Sequence, residues 1–399
     1  MTKKILSLSA AAAMPLGGFG LSSCESTPEA EKTPTPFTVG KAIYPAGASE
    51  EMNLQVCFPI DYAAEGEVLL RIAGENEYSI YLNNDLVGYG PAKAAHGYHR
   101  VDEYHLVSPM KENRILVLLA GYNVCSFDRI KQEPFLQYEL WQGEECLAYS
   151  SAQSVAFLHE AHIQKVSRFS YQRTFSESYD EAYTNQIFHR GYAPNRLKLQ
   201  ETGPFSFLER KVSYPKLEER PFVLLEKNKI HLDPDRPIHS DRYMSNEKIG
   251  IFPQSKWAVD PNRVLSQLVV EETPLPLSGK LQAGESLAYG ASPSITGFLH
   301  ARVQVEQTAE IYLHFDEING GDDSHIEIDC FRNTTHNIVS YRLLPGEYEL
   351  TSFLPYSAKY VRISCLSGSL EAKSFAIIAL ENPDVAISYS FEDERMQKI

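Results

Sequence analysis

The chain has 399 residues, enough for two or three domains. Its 52 acidic residues outnumber the 37 basic ones, a formal charge of −15, so it lacks the basic surface that binding nucleic acid requires and no nucleic acid is expected as a partner. With 23 tyrosines, 19 phenylalanines and no long uninterrupted apolar run, the composition favours an all-β protein with half-buried aromatic strand faces.

The first 24 residues, MTKKILSLSAAAAMPLGGFGLSSC, read as an export signal: Lys3 and Lys4 form a charged start, and Ile5 to Leu21 a short apolar stretch. That stretch is too short, and too broken by Gly and Pro, to span a bilayer permanently. Leu21-Ser22-Ser23-Cys24 resembles a bacterial lipobox, which makes Cys24 the expected lipidation site. It places the exported, lipid-anchored protein in the bacterial cell envelope, at the outer membrane. The alternative is an ordinary signal peptide with an incidental cysteine. Residues 25–36, ESTPEAEKTPTP, form a tether whose composition cannot pack a core.

From Phe37 the chain alternates strands and turns. GEVLLRIAG (66–74), NEYSIYLNN (76–84), RILVLLAGY (114–122) and FLQYELWQ (135–142) are rich in β-branched and aromatic residues, and turn residues separate them. Tyr78, Ile80 and Leu82 alternate with Ser79 and Tyr81, the period of a half-buried strand. Residues 37–205 are expected to form a first β-sandwich of jelly-roll type. Residues 206–275, with many prolines and charges, are expected as an extended connection with a few short strands. The strand pattern resumes in a second sandwich over 276–385, where LLPGEYEL (343–350) carries a Pro-Gly hairpin signal. Over 386–399 the pattern is that of a helix that begins and is not completed, with Ser390 as its cap.

Five cysteines follow Cys24. Cys57, Cys125, Cys146, Cys330 and Cys365 show neither CxxC nor a His/Cys zinc spacing, and a Cys330–Cys365 bridge and two buried thiols both stay open. In YLNNDLVGYGPAKAAHGYHRVDEYHL (81–106), two readings compete. In one, Tyr98 or Tyr104 stacks on a sugar ring while Asn84, His99, Arg100 and Asp102 bind hydroxyls. In the other, glycines shape a long turn that Arg100 pins through Asp102 or Glu103. The acid-rich HFDEINGGDDSHIEIDCFR (314–332) offers Asp316, Glu317, Asp322, Asp323, Glu327 and Asp329 as oxygen ligands, but their spacing departs from the EF-hand template. It reads as a solvated hairpin loop, and neither a metal nor a cofactor is expected. A catalytic pair of Glu317 and Asp329 lacks the cleft that raises one carboxyl pKa.

Three stretches together resemble the bacterial α-L-rhamnosidases of glycoside hydrolase family 78: the segment 81–106 quoted above, SLAYGASPSITGFLHARVQVEQTAEIYLHFDEI (286–318) and YRLLPGEYELTSFLPYSAKYVRISC (341–365). The resemblance covers roughly 37–399 and implies β-sandwich domains that precede an (α/α)6 barrel holding two acids for inverting hydrolysis. No position here matches the barrel motifs, so no catalytic residue is assigned. The resemblance implies a truncated, non-catalytic N-terminal part, inactive alone, that serves rhamnose-containing glycans with a barrel in cis if the reading frame continues. It also implies that Glu317 and Arg332 sit at the barrel rim. The alternatives are a stand-alone, surface-anchored carbohydrate-binding lipoprotein and a structural, adhesin-like module.

Overall fold

The computed structural model describes residues 36–170, 172–180, 196–239, 252, 260–321, 325–382 and 395. Cys24, the tether up to residue 35, Asp322, Asp323 and, apart from Arg395, the helix expected over 386–399 lie outside the described residues. The described chain is almost entirely β, as its composition implies, and is organised as two sandwiches.

The first sandwich begins with β1 (Ile43–Pro45), β2 (Leu54–Ala63), β3 (Gly66–Glu75), β4 (Glu77–Leu82), β5 (Asp85–Gly90), β6 (Tyr98–Ser108), β7 (Glu112–Gly121), β8 (Phe135–Gln142), β9 (Glu145–Tyr149) and β10 (Phe157–Leu158). It is completed by β12 (Leu199–Glu201) and β13 (Ser206–Glu209), whereas β11 (Glu177–Asp180), between β10 and β12 in sequence, belongs to the other sheet system. One sheet runs β12–β1–β8–β3–β6–β13 with β9 paired to β8; the facing sheet runs β10–β2–β7–β4–β5. Alternate residues such as Val56, Phe58, Leu70, Ile80, Val117 and Leu140 fill the space between them. Each side chain of this size contributes about 2 kcal/mol when fully buried.

β7 is apolar on both faces, and the structure gives the reason. Ile115, Val117 and Leu119 point into the first core, whereas Leu116, Leu118 and Ala120 join a cluster shared with the second sandwich. A sheet covered on both sides loses the polar alternation of a solvated face.

The second sandwich contains β14 (Lys216–Pro221), β15 (Val223–Leu232), the helix α1 (Pro261–Gln267), β16 (Leu268–Pro274), β17 (Lys280–Gln282), β18 (Glu285–Asp316), β19 (Ile338–Leu343), β20 (Gly346–Thr351) and β21 (Tyr356–Glu381). The long β18 and β21 each cross from one layer to the other. In one layer, 285–290 and 310–316 flank 360–367; in the other, 297–305 pairs with 370–379. Register shifts between Gly290 and Phe298 mark the crossing. At Gly297 a Cβ would lie 2.1 Å from the Ile378 carbonyl oxygen, so glycine alone allows the two backbones to approach there.

Pairing also corrects the reading of LLPGEYEL. β19 pairs with 309–314 of β18, whereas β20 pairs with 300–305. The Pro345-Gly346 turn therefore carries the chain from one layer to the other and closes no hairpin, because each flanking strand finds a better partner in β18. The segment 206–275 is shared out: β13 lies parallel to β6 of the first sandwich, while β14 pairs with β21 and β15 with β16 and β18. β11, although it lies between β10 and β12 of the first sandwich in sequence, lies parallel to β19 of the second. Cys330 and Cys365 are free and buried in different clusters, so the bridge left open above is not formed.

The segment between β10 and β12 is tied to the second sandwich by Glu177 on β11. Its buried carboxylate accepts hydrogen bonds from the Phe353 and Leu354 amides (2.7 and 2.9 Å) and from the Tyr179 and Tyr356 hydroxyls (2.7 and 2.6 Å). Burial pushes its pKa up, and these donors, led by Tyr356, oppose the rise. Glu177→Gln keeps the shape but replaces one acceptor oxygen by a donor amide, leaving buried donors unmatched. Unfolding in urea should show a loss of about 3 kcal/mol; an unchanged midpoint and slope would mean that the junction does not rest on this carboxylate.

Candidate functional site

Position along β6 separates the residues crowded into 81–106: Tyr98, Arg100, Asp102 and Tyr104 share one strand parity, and only the last two are buried. β4 and β5 meet through a two-residue turn, with Asn83 and Asn84 in the left-handed region at φ 49° and 82°. Asn83 exchanges hydrogen bonds with Asn113 and Arg114, which ties the turn to β7, while Asn84 stays exposed. Asp102 and Tyr104, both candidates for sugar contact, are interior. Asp102 is fully buried, accepting from the Tyr78 hydroxyl and from Arg210 Nη1 (2.7 Å). Burial raises its pKa, and the Tyr78 and Arg210 contacts pull it back. The Tyr104 hydroxyl donates to the Tyr89 carbonyl at 3.0 Å.

Arg100 does not pair with Asp102 or Glu103. Asp102 is held by Arg210, and Glu103 by Arg71 at 2.8 Å. The guanidinium instead donates to the carbonyls of Lys93, Glu209 and Arg210 at 2.7–2.9 Å, because β13 runs beside β6 and presents its main chain there. The fastening exists with different partners. Tyr98, His99 and Arg100 do come together, with Lys93, His96, Phe127 and Arg129, around a cleft of about 260 Å³. His99 is buried at its floor, edge-on to Phe135 and Phe205, with Nδ1 3.3 Å from Glu75 Oε2.

Asn84 belongs to a different and larger groove, about 640 Å³, between the sandwiches. Tyr81 and His159 form one wall; Tyr179, Tyr341, Tyr348 and Phe353 form the other, with Arg302, Glu347, Glu349 and Lys373 at its edge. The parallel pairing of β11 with β19 sets Tyr179 opposite Tyr341, and their rings stack at 5.4 Å. Two residues before Tyr179 stands Glu177, so the carboxylate that ties this segment to the second sandwich also fixes this wall. Arg302 donates to Glu219 (3.0 Å from Nη1) and to Glu349 (3.0 Å from Nε). His159 Nδ1 lies 2.8 Å from Gln55 Oε1, and burial pushes its pKa down to about 4. Tyr341 and Tyr348 flank the Pro-Gly turn in a legible strand pattern. Tyr179 carries no local signal, because its place depends on a partner strand about 160 residues later.

The acidic segment is fastened from inside. Asp316 is buried and holds Arg332 through Nε (2.7 Å) and Nη2. Beside it Glu317 is exposed and accepts from the Ser294 hydroxyl at 3.2 Å. Asp329 is exposed and caps the Phe331 amide at 3.0 Å. Among the described residues, no three His, Cys, Asp or Glu side chains gather as a metal site.

No protein-family model and no curated protein matches the sequence. Solved structures do match in fold. A rhamnosidase of glycoside hydrolase family 78 from Bacillus sp. GL1 superposes with a TM-score of 0.69 at 12% identity, covering 87% of this chain and 56% of that one. An α-L-rhamnosidase from Aspergillus terreus gives 0.52 at 14% identity, covering 86% of this chain and 36% of that one. The chain thus spans about half the length of the first of these enzymes or less, and the likeness is one of fold.

The buried imidazole in the groove gives stability a pH dependence. In the unfolded chain a histidine titrates near 6.5, while folded His159 stays neutral to about 4. Its contribution is present above pH 6.5 and lost as the pH falls from 6.5 towards 4, by about 3 kcal/mol in full. His314, pushed down to about 3 by burial, acts in the same direction. Urea unfolding between pH 7 and pH 4 should show this loss, and His159→Gln should flatten the slope; a slope unchanged by the substitution contradicts the assignment.

Proposed function

We propose that this chain is the non-catalytic β-sandwich part of a rhamnosidase-like glycoside hydrolase that works on rhamnose-containing glycans at the cell envelope, anchored through lipidated Cys24, and that it holds such a glycan in the groove between its sandwiches. The lining of that groove carries the reading. Sugars are gripped by aromatic rings against their C–H faces and by polar side chains on their hydroxyls. Here Tyr81 and Tyr348 are half-buried rings on opposite walls, and Asn84, Gln304, Glu347 and Lys373 stand around them. A groove of about 640 Å³ is of the size small-molecule sites have. The 6-methyl group of L-rhamnose adds to the apolar area that such rings cover.

In this reading cleavage belongs to a barrel domain, in cis if the reading frame continues. Inverting hydrolysis needs two carboxylates on opposite faces of the sugar, one kept protonated by its surroundings. The acids of this groove, Glu347 and Glu349, are exposed neighbours on one face of β20, and Glu349 is held by Arg302. Both lie on one wall. Calorimetry of the purified chain with a rhamnose-terminated oligosaccharide should show binding that Tyr348→Ala weakens at least about tenfold and Tyr348→Phe leaves nearly intact. The same chain should release no nitrophenol from p-nitrophenyl α-L-rhamnoside. Absence of binding would remove the glycan reading; turnover would remove the non-catalytic one.

A further inference from the structure

We propose that the smaller cleft under the Pro91–Tyr98 loop is a second, separate subsite that takes a sugar residue bearing a carboxylate, a uronate; this rests on the chain being a glycan binder. The first observation is charge. In a chain of net charge −15, the walls of this cleft carry Lys93, Arg100 and Arg129 against Glu75 and Asp128. Both acids are already committed. Glu75 is buried, accepts from the Asn76 and Gln132 side-chain amides and lies 3.6 Å from Arg129, which Glu77 also holds, and Asp128 is paired with Lys93. Arg100 has only main-chain carbonyls as acceptors, through Nε and Nη1, and no carboxylate partner among the described residues. Its Nη2 has no acceptor among the described residues. A carboxylate entering the cleft therefore meets a planar guanidinium donor without displacing a buried ion pair.

The second observation is shape. Tyr98 and Ile130 are large apolar side chains at the cleft with 37% and 58% of their surface exposed, a platform for the face of a sugar ring. The volume of about 260 Å³ suits one monosaccharide, where the groove between the sandwiches is more than twice as large. The loop is held in place before any ligand arrives. The Gly97 amide donates to Gln132 Oε1 at 2.6 Å, the Tyr98 amide to the Ala95 carbonyl at 3.0 Å, and Arg100 grips the Lys93 carbonyl. Little ordering cost then remains to be met on binding. The overall negative charge disfavours a long polyanion such as nucleic acid and leaves a short acidic glycan, of which the cleft takes one carboxylate, as the fitting ligand.

Trigalacturonate and its carboxyl-reduced counterpart, trigalactose, differ only at C6, a carboxylate in the first and a hydroxymethyl group in the second. Calorimetry should show trigalacturonate binding at least about tenfold tighter, with an affinity that falls as salt rises. Lys93→Gln and Tyr98→Ala change exposed side chains, so folding is preserved, and each should weaken trigalacturonate about fivefold or more. Neither should alter binding of the rhamnose-terminated oligosaccharide, whereas Tyr348→Ala should do the reverse. Equal affinity for the two trisaccharides, no binding of either, or loss of trigalacturonate binding in Tyr348→Ala would overturn the subsite. In each of these cases intact rhamnose-glycan binding leaves the groove standing. If only the rhamnose glycan fails to bind, the groove falls and the cleft remains.

Discussion

A carboxylate can leave water only where donors replace its hydration, and Glu177 meets that condition in one place: where β11 meets the turn after β20. Its two amide donors belong to Phe353 and Leu354 in the second sandwich, while its own strand arrives from the first. The position of β11 along β19 is thereby set, and with it the stack of Tyr179 on Tyr341 and the wall of the groove. The same device recurs at other joints. Glu139, buried on β8, accepts from the successive amides of Thr38, Val39 and Gly40 at 2.6–2.8 Å and ties the start of the described chain to the sheet. Glu226 accepts from the Ile326 amide at 2.8 Å, with His325 Nδ1 at 2.7 Å from its other oxygen, and Arg362, fully buried, donates to the Ile326 carbonyl at 2.6 Å. Three segments that would otherwise hang from a β scaffold are held by acids inside it.

What could be read in the sequence follows the range of the interaction that decides it. The alternation of Tyr78, Ile80 and Leu82 places these three inside because side-chain direction in a strand is local. The Asn83-Asn84 turn was legible for a similar reason, since few residues accept two successive positive φ angles. The apolar stretch of β7 from Ile115 to Ala120 is explained only by the structure, which assigns its two sides to two clusters. By contrast, LLPGEYEL has every local mark of a hairpin and is a corner. Pairing energy is summed over partners far away in sequence, and β18 supplies a longer match to each side than they supply to each other. Tyr179 and the acceptors of Arg100 were out of reach for the same reason.

The crowded loop at 96–104 shows how a polar cluster in sequence becomes two environments in space. Asp102 and Tyr104 turn inward and serve the fold, whereas Tyr98 and Arg100, at the strand's start, remain at the surface. Candidate residues chosen by chemical type alone therefore divide into structural and accessible sets, and Asn84 moves to a groove shared with the other sandwich. No single residue type separates these outcomes. Burial does, and burial of Asp102 and Tyr104 involves Arg210 and Tyr214, which arrive just after β13 from more than 100 residues later.

Electrostatics then decides what each cleft can hold. Screening in physiological salt limits a charge to about 8 Å, so the negative total acts on large polyanions but hardly on a small group already inside a cleft. Within that distance, Arg100 has carbonyl acceptors alone and no carboxylate partner among the described residues, while Arg129 is held by Glu77 and Glu75 and Lys93 by Asp128. The inter-sandwich groove differs, because Arg302 is matched by Glu219 and Glu349 and the tyrosines dominate its walls. One scaffold thus offers a nearly neutral aromatic groove and a small cleft in which one guanidinium meets main-chain carbonyls alone.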